Sequence, residues 1–298
     1  MRVFVTGATG FIGSAIVADL IEAGHQVLGL TRSGAGAKAL AAAGAEVHRG
    51  SLEDLESLRR GAAQSDGVIH TAFNHDFSTY VANCEDDRAV IEALGSSLVG
   101  SRRPFIVTSG TGMGASGPGQ LAKETDPPAR AVDIPRAASE EAAAAVEALG
   151  VNVSIMRLPQ VHDTEKQGLV SPAIEIAREK GVSAYVGEGR NRWPAAHRLD
   201  TARLYRLALE KAEPGARYHA VAEEGVAMRD IAEAIARRWG LPAVSIAPED
   251  APAHFGWLGM FADRDVPASS LQTREQLNWR PTCPSMIEDL EAMRGEAA

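Results

Sequence analysis

The chain has 298 residues, 45% of them apolar and 23% charged, the balance of a globular protein with a sizeable core rather than of a disordered segment. Its net charge of −9 argues against a nucleic-acid partner, because neutralising phosphates needs a basic face. Two cysteines, Cys84 and Cys283, give neither a disulfide framework nor a metal site, and no run approaches the ~20 apolar residues that span a bilayer.

In chain order, Arg2 to Val5 is an apolar, β-branched and aromatic run that predicts a first strand. Thr6-Gly7-Ala8-Thr9-Gly10-Phe11-Ile12-Gly13 follows, and a helical pattern runs from Phe11 to Ala23 with Ile12, Ile16, Leu20 and Ala23 on one face. No signal peptide precedes the motif, so the expectation is a cytoplasmic protein without a membrane partner. Gln26 to Leu30 reads as the second strand. Strand, glycine loop, helix and strand are the context of a dinucleotide fingerprint. Gly7 permits the tight turn, Gly10 lets the backbone approach a pyrophosphate, and Gly13 lets helix and strand pack closely. Thr9, Phe11 and Ile12 complete a loop whose helix N-terminus offers N–H groups to the diphosphate. At the end of the second strand stands Thr31-Arg32-Ser33, with no acid before Glu46. An acid there would hold the ribose 2′-OH of NAD, whereas a guanidinium suits the 2′-phosphate of NADP. The expectation is therefore NADP (NADPH) in preference to NAD, with Arg32 and Ser33 at the adenosine ribose.

Strands predicted near 2–6, 26–31, 45–48, 67–71, 104–109 and 151–157 alternate with helical patterns, the signature of an α/β doubly wound parallel sheet. After about residue 160, helices such as Met228 to Trp239 are separated by loops containing Pro and Gly. TGATGFIG, the run Arg49-Gly50-Ser51-Leu52-Glu53-Asp54, the turn Arg157-Leu158-Pro159-Gln160-Val161-His162 and the segment Arg192 to Asp200 together resemble the extended and atypical short-chain dehydrogenase/reductases. That group includes nucleotide-sugar epimerases and dehydratases, and the resemblance covers nearly the whole chain. It implies a Rossmann core over 1–160 and a small C-terminal substrate lobe over 161–298, interleaved with the core, and a homodimer through paired helices. It also implies Ser51 and Leu52 beside the adenine, although Ser51 replaces the usual acid and, with Asp54, reads equally as a helix cap. Thr71, Ala72 and Phe73 would pass the cofactor ribose, and Pro159 would lie beside the nicotinamide.

The resemblance also implies a Tyr and, four residues later, a Lys on the helix after the fifth strand. Here that region reads DIPRAASEE, Asp133 to Glu141. Aligned on Glu140, Val132 takes the Tyr position and Arg136 the Lys position. No tyrosine occurs between Tyr80 and Tyr185. Arg136 can hold a positive charge near the ribose, or cap its helix, but cannot donate a proton at ordinary pH. Ser109 and Thr111 flank the family's hydroxyl position; they could bond a substrate carbonyl or simply satisfy a turn. His75 follows the fourth strand at the sheet edge where ligands bind and titrates in a useful range. His162, Tyr185, Trp193 and His197 fall in the lobe expected to roof the substrate, and Trp193, Trp257 and Phe255 could line an apolar pocket. Thr108 to Gly119, with five glycines, reads as an active-site loop. The expected activity is hydride transfer between NADP(H) and a small, largely apolar carbonyl, imine or enone, with a non-Tyr proton donor. Two alternatives stand: a nucleotide-sugar epimerase or dehydratase with retained NAD, and a non-catalytic NADP-sensing or partner-binding protein.

Overall fold

A computed structural model describes residues 1–114, 117 and 119–293. The first half alternates β1 (Arg2–Thr6), α1 (Phe11–Glu22), β2 (Gln26–Thr31), α2 (Gly34–Ala42), β3 (Glu46–Arg49), α3 (Leu55–Ala63), β4 (Gly67–His70), α4 (Tyr80–Ser96), β5 (Pro104–Gly110), α5 (Ala138–Ala148) and β6 (Asn152–Leu158). The second half supplies β7 (Gln160–His162), α6 (Val170–Lys180), β8 (Ser183–Val186), β9 (Arg192–His197), α7 (Arg198–Lys211), β10 (Arg217–His219), β11 (Glu223–Ala227), α8 (Met228–Trp239) and β12 (Ala243–Ile246). Four short helices end the chain: α9 (Ala251–Phe255), α10 (Gly259–Ala262), α11 (Leu271–Leu277) and α12 (Met286–Glu291).

The main sheet is seven-stranded, ordered β10-β6-β5-β4-β1-β2-β3, and every pairing in it is parallel. Its central strands are apolar on both faces, as sheets covered on two sides require: Val3, Phe4, Val5, Val68, Ile69, Phe105, Ile106 and Val107 are all buried. One face packs against Ile16 and Leu20 of α1 and Leu204, Tyr205 and Leu209 of α7. The other packs against Leu58 of α3, Ile91 and Leu94 of α4 and Val146 of α5. This is the doubly wound fold that the strand pattern predicts.

A separate core of Ile174, Trp193, Ile231, Ile235, Phe255 and Met286 forms the lobe, around the sheets β11-β9-β7 and β12-β8. The two cores are stitched together. β10 returns to pair with β6, and Trp279 joins the core beneath α7. Asp200 makes that return possible: its carboxylate accepts the backbone N–H of Thr282 at 3.0 Å and of Cys283 at 2.9 Å, while its carbonyl accepts from the Trp279 indole at 3.0 Å. Among the described residues, no helix is long and apolar enough to cross a membrane.

Candidate cofactor and catalytic site

The loop between β1 and α1 is built for close approach. Gly7 is left-handed, with φ of +67°, and a Cβ there would meet Thr71 Oγ1 at 2.7 Å and the Ala72 nitrogen at 2.8 Å. A Cβ on Gly13 would lie 2.0 Å from the Gly7 carbonyl oxygen, so only glycine allows this helix to sit on this loop. α1 starts from Gly10 with no side-chain cap and no acid in its first turn. The helix end is thus left to an external anion, and a dinucleotide diphosphate fits it. Thr9 and Gly10 are exposed, and Phe11 and Ile12 half-buried. At the neighbouring end of β4, the Thr71 hydroxyl donates to the Thr6 carbonyl at 2.8 Å, fixing the segment Thr71, Ala72 and Phe73 beside the glycine loop. Pro159, half-buried, follows β6 on the same carboxyl edge.

At the adenosine end, Arg32 is exposed and Ser33 is occupied, its hydroxyl capping α2 by accepting from the Gly36 nitrogen at 2.9 Å. Ser51 and Leu52 are half-buried on the β3–α3 loop. The cap of α3 is Asp54, which accepts from the Ser57 nitrogen, whereas Ser51 bonds Glu53. That bond, the Glu53 backbone and the nearby Arg32 charge hold Glu53 below the usual carboxylate range. An acid from the next loop therefore lies near enough to Arg32 to feel its charge.

At the opposite end, the segment holding Asp133 to Glu141 forms a single 3-10 turn over Pro135–Ala137 before α5 begins at Ala138. Pro135 and the extended Ile134 delay the helix, and Val132, in the tyrosine position, is 80% exposed. Arg136 turns inward. Its guanidinium donates to Asp87 at 2.9 Å, to the Ser139 hydroxyl and to the Thr108 carbonyl at 3.2 Å, and lies 4.1 Å above the Phe73 ring. Asp87 also accepts from His70 at 2.9 Å, and the other His70 ring nitrogen bonds Thr6 Oγ1 at 2.7 Å. Burial opposes the charge on Asp87, but His70, Arg136 and Ser139 outweigh it and hold the carboxyl below its ordinary range. A buried polar chain thus runs from β1 through β4 and α4 to Arg136.

His75 packs edge-on against Phe73, ring centroids 5.2 Å apart. Partial burial and the charges of Arg136 and Lys166 push it below its ordinary value. Tyr80, at the start of α4, stacks on Phe77 at 5.5 Å, and burial pushes its phenol upward. Phe77 in turn stacks at 4.5 Å on Trp257 of the lobe, bringing lobe and core together at this edge. Ser109 is buried and donates to Glu140 at 2.7 Å. Glu140 also receives a two-pronged ion pair from the fully buried Arg157, at 2.8 Å per contact. Thr111 is buried too, its hydroxyl making a long contact of 3.4 Å to the Leu158 carbonyl. In the glycine-rich stretch after it, positions 115, 116 and 118 lie outside the described residues.

The lobe residues are arranged differently from the roof expected of them. Trp193 is 2% exposed within the lobe core, where Phe255 is also buried. Tyr185 lies on β8 beneath Arg229, 5.8 Å from its ring. His162 is buried and bonds Asp289 of α12 at 2.7 Å, and His197 caps α7 through the Leu199 nitrogen. Of the three aromatics expected to line a pocket, Trp257 reaches the cleft, by way of Phe77. Two clusters were not anticipated: His70, Asp87 and Ser139 around Arg136, and Glu140 and Arg157 around Ser109. The one usable signal was His70, a histidine closing an otherwise apolar strand; Asp87 stands in the acidic run Glu85-Asp86-Asp87, which reads as a solvated helix face.

Residues 3–222 match the model of the NAD dependent epimerase/dehydratase family. The chain is 48% identical over 295 residues to an uncharacterized protein of Schizosaccharomyces pombe, covering 97% of this chain and 98% of the relative. It is 44% identical over 295 residues to an uncharacterized protein of Saccharomyces cerevisiae, covering 98% of each. It is 28% identical to the UDP-glucose 4-epimerase of Streptomyces lividans over 324 residues, 94% of this chain and 92% of that one. In fold it is similar to the Thermus thermophilus UDP-glucose 4-epimerase solved with NAD (TM-score 0.73, 23% identity, 98% and 97% of the two chains). It is also similar to the dTDP-glucose 4,6-dehydratase of Streptomyces venezuelae solved with NAD (TM-score 0.75, 21% identity, 98% and 95% of the two chains). These findings overturn the preference for NADP drawn from Arg32: the matching family is NAD-dependent, and the neighbouring structures hold NAD. Arg32 does not stand alone at that end of the cleft: its charge also bears on Glu53 of the next loop, so a guanidinium at the end of β2 is not by itself a mark of a 2′-phosphate. The chain belongs to the NAD dependent epimerase/dehydratase family, on a Rossmann fold.

Proposed function

We propose that this protein is an NAD-dependent oxidoreductase of the epimerase/dehydratase type, acting on a carbinol carbon of a nucleotide-sugar substrate. The observation that carries this reading is the glycine cradle at Gly7 and Gly13, which is closed to any side chain and opens onto an uncapped helix end, within a chain matched over residues 3–222 by that family. NAD, when bound, supplies the hydride acceptor. The chain's own residues do the rest. Gly7, Thr9, Gly10, Phe11, Ile12 and Gly13 would hold the diphosphate, and Arg32, Ser33, Ser51 and Leu52 surround the adenosine end. Thr71, Ala72, Phe73 and Pro159 border the nicotinamide half. Arg136, with its donors committed to Asp87, Ser139 and Thr108, keeps a fixed positive charge in the lysine's place and moves no proton. The substrate hydroxyl must still lose its proton as the carbon is oxidised. His75 suits that task, because a depressed imidazole is neutral at pH 7 and accepts a proton. Tyr80, pushed upward, stays protonated and serves as a hydrogen-bond donor.

A second reading, reduction of a small apolar carbonyl, is favoured by the aromatic group Phe73, Phe77, Tyr80 and Trp257 at the cleft edge. One experiment separates the two. Nucleotide is released from the purified protein by denaturation and identified, and the protein is then incubated with UDP- and dTDP-hexoses and, separately, with small ketones and NADH. Bound NAD together with sugar interconversion in the absence of added cofactor supports the first reading. NADH consumption that follows the ketone supports the second. Failure to bind NAD or NADH defeats both.

A further inference from the structure

Phe11, the first residue of α1, carries two cations on its ring. Arg198, the first residue of α7, has its guanidinium carbon 5.0 Å from the ring centroid, and Lys166, from the turn after β7, has its ammonium at 5.8 Å. Asp163 organises both. One of its carboxylate oxygens accepts the backbone N–H groups of Glu165 at 2.7 Å and Lys166 at 2.9 Å, closing the turn, and the other lies 3.1 Å from Arg198 Nε. Asp163 is buried, so this turn is part of the packed structure.

The charges do not cancel. Asp163 balances Arg198, whereas Lys166 is exposed, and among the described residues no carboxylate lies within ion-pair distance of it. Its charge is felt across the cleft at His75. A helix N-terminus carries partial positive charge and is normally flanked by acids, so cations beside it are unfavourable. α1 has none of those acids in its first turn. The arrangement becomes favourable once an anion sits between the helix end and the two side chains.

We propose that Lys166 and Arg198 form a two-cation clasp over Phe11 that closes the diphosphate edge of the cleft and sets the residence time of the dinucleotide, with Asp163 as the positioning residue. This rests on the NAD reading above. The clasp comes from the lobe side of the chain, so substrate-lobe packing and cofactor retention are coupled through one turn.

The test follows release of NADH by fluorescence after displacement with excess NAD, in the wild type and in Lys166→Ala, Arg198→Ala, the double variant and Asp163→Ala, with a thermal melt for each. Lys166→Ala removes an exposed side chain with no ion-pair partner among the described residues, so that variant keeps the test valid if Arg198→Ala proves unstable. The double variant is expected to release NADH about tenfold faster, as the loss of two contacts to charged oxygens implies, and Asp163→Ala to release faster although both cations remain. Wild-type release should accelerate with salt, and this dependence should flatten in the double variant. Release by all variants within about twofold of wild type overturns the clasp and leaves the NAD reading standing. A wild type that binds no NADH in a direct titration overturns both.

Discussion

Single residues in this protein divide into those that face the cleft and those that hold it open. His75 belongs to the first group. Replacement by Gln keeps a polar side chain but removes the proposed base, and is expected to lower kcat about 100-fold while leaving NADH affinity unchanged. A fall in affinity equal to the fall in kcat would instead assign His75 to binding. Glu140 belongs to the second group. With Arg157 and Ser109 it forms a buried constellation 31 residues from Ser109 and 17 from Arg157 in sequence. Glu140→Leu leaves the Arg157 charge buried without its carboxylate and should cost about 3–5 kcal/mol in urea denaturation. Glu140→Leu combined with Arg157→Met removes both charges and should cost much less. Equal costs for the single and double variants would show that the pair contributes packing alone. Neither role could be read from the residue type: a glutamate in a helix's first turn is also what dipole complementarity selects.

At the scale of elements, α12 is pinned to the lobe by chemistry rather than by length. His162 of β7 bonds Asp289 at 2.7 Å, His197 approaches the same carboxylate at 3.7 Å, and Glu223 of β11 accepts the Met286 nitrogen at 2.8 Å. Burial and the nearby His197 push His162 down to about 3, since a second proton would sit on a ring nitrogen that has no hydrogen-bond partner. Above about pH 6.5 the imidazole is neutral in both the folded and the unfolded chain, and its titration costs nothing. As pH falls toward 3 only the unfolded chain takes the proton, so stability declines, by at most ~1.4 kcal/mol per pH unit from this group. Asp289 and Glu223, both raised chiefly by burial, take up protons earlier in the folded state and partly offset the decline. Asp163, Asp200 and Glu288 complete the charges bearing on the cluster. Denaturation curves between about pH 6 and pH 4 should therefore show a shallower loss of stability in His162→Gln than in the wild type. Parallel slopes would contradict the assignment. The neighbouring helix α5 makes the same point about context: Pro135 delays its start, so the segment expected to be catalytic helix is a turn that aims Arg136 inward.

For the whole molecule, the interleaving of lobe and core has a mechanical consequence. β10 completes the main sheet, α7 covers one face of it, and Trp279 fills the space beneath. A chain ending at residue 160 lacks all three and is expected to show no cooperative unfolding transition, whereas the full chain should unfold in one; a cooperative melt of the fragment would establish independent domains. The sequence by itself determined the alternation of strands and helices as far as β6 and the nature of the glycine loop, because both rest on local rules, whereas β7 to β12 were not read from it. Strand and helix periods are written in neighbouring residues, and the demands on Gly7 and Gly13 arise within a single turn. Arg32 shows where local reading fails: its charge is plain at the end of β2, but the acid nearby arrives on the loop after β3. Only the tertiary structure decided which polar groups meet. His70 reaches Asp87 across 17 residues, Arg136 reaches it across 49, and His162 reaches Asp289 across 127. Such pairs are selected by how sheet and helices pack around their apolar faces, and no periodicity in the chain records the partner. The carboxyl edge of the sheet is the place where that difference matters most, because it is assembled from the ends of strands and helices that share no local sequence.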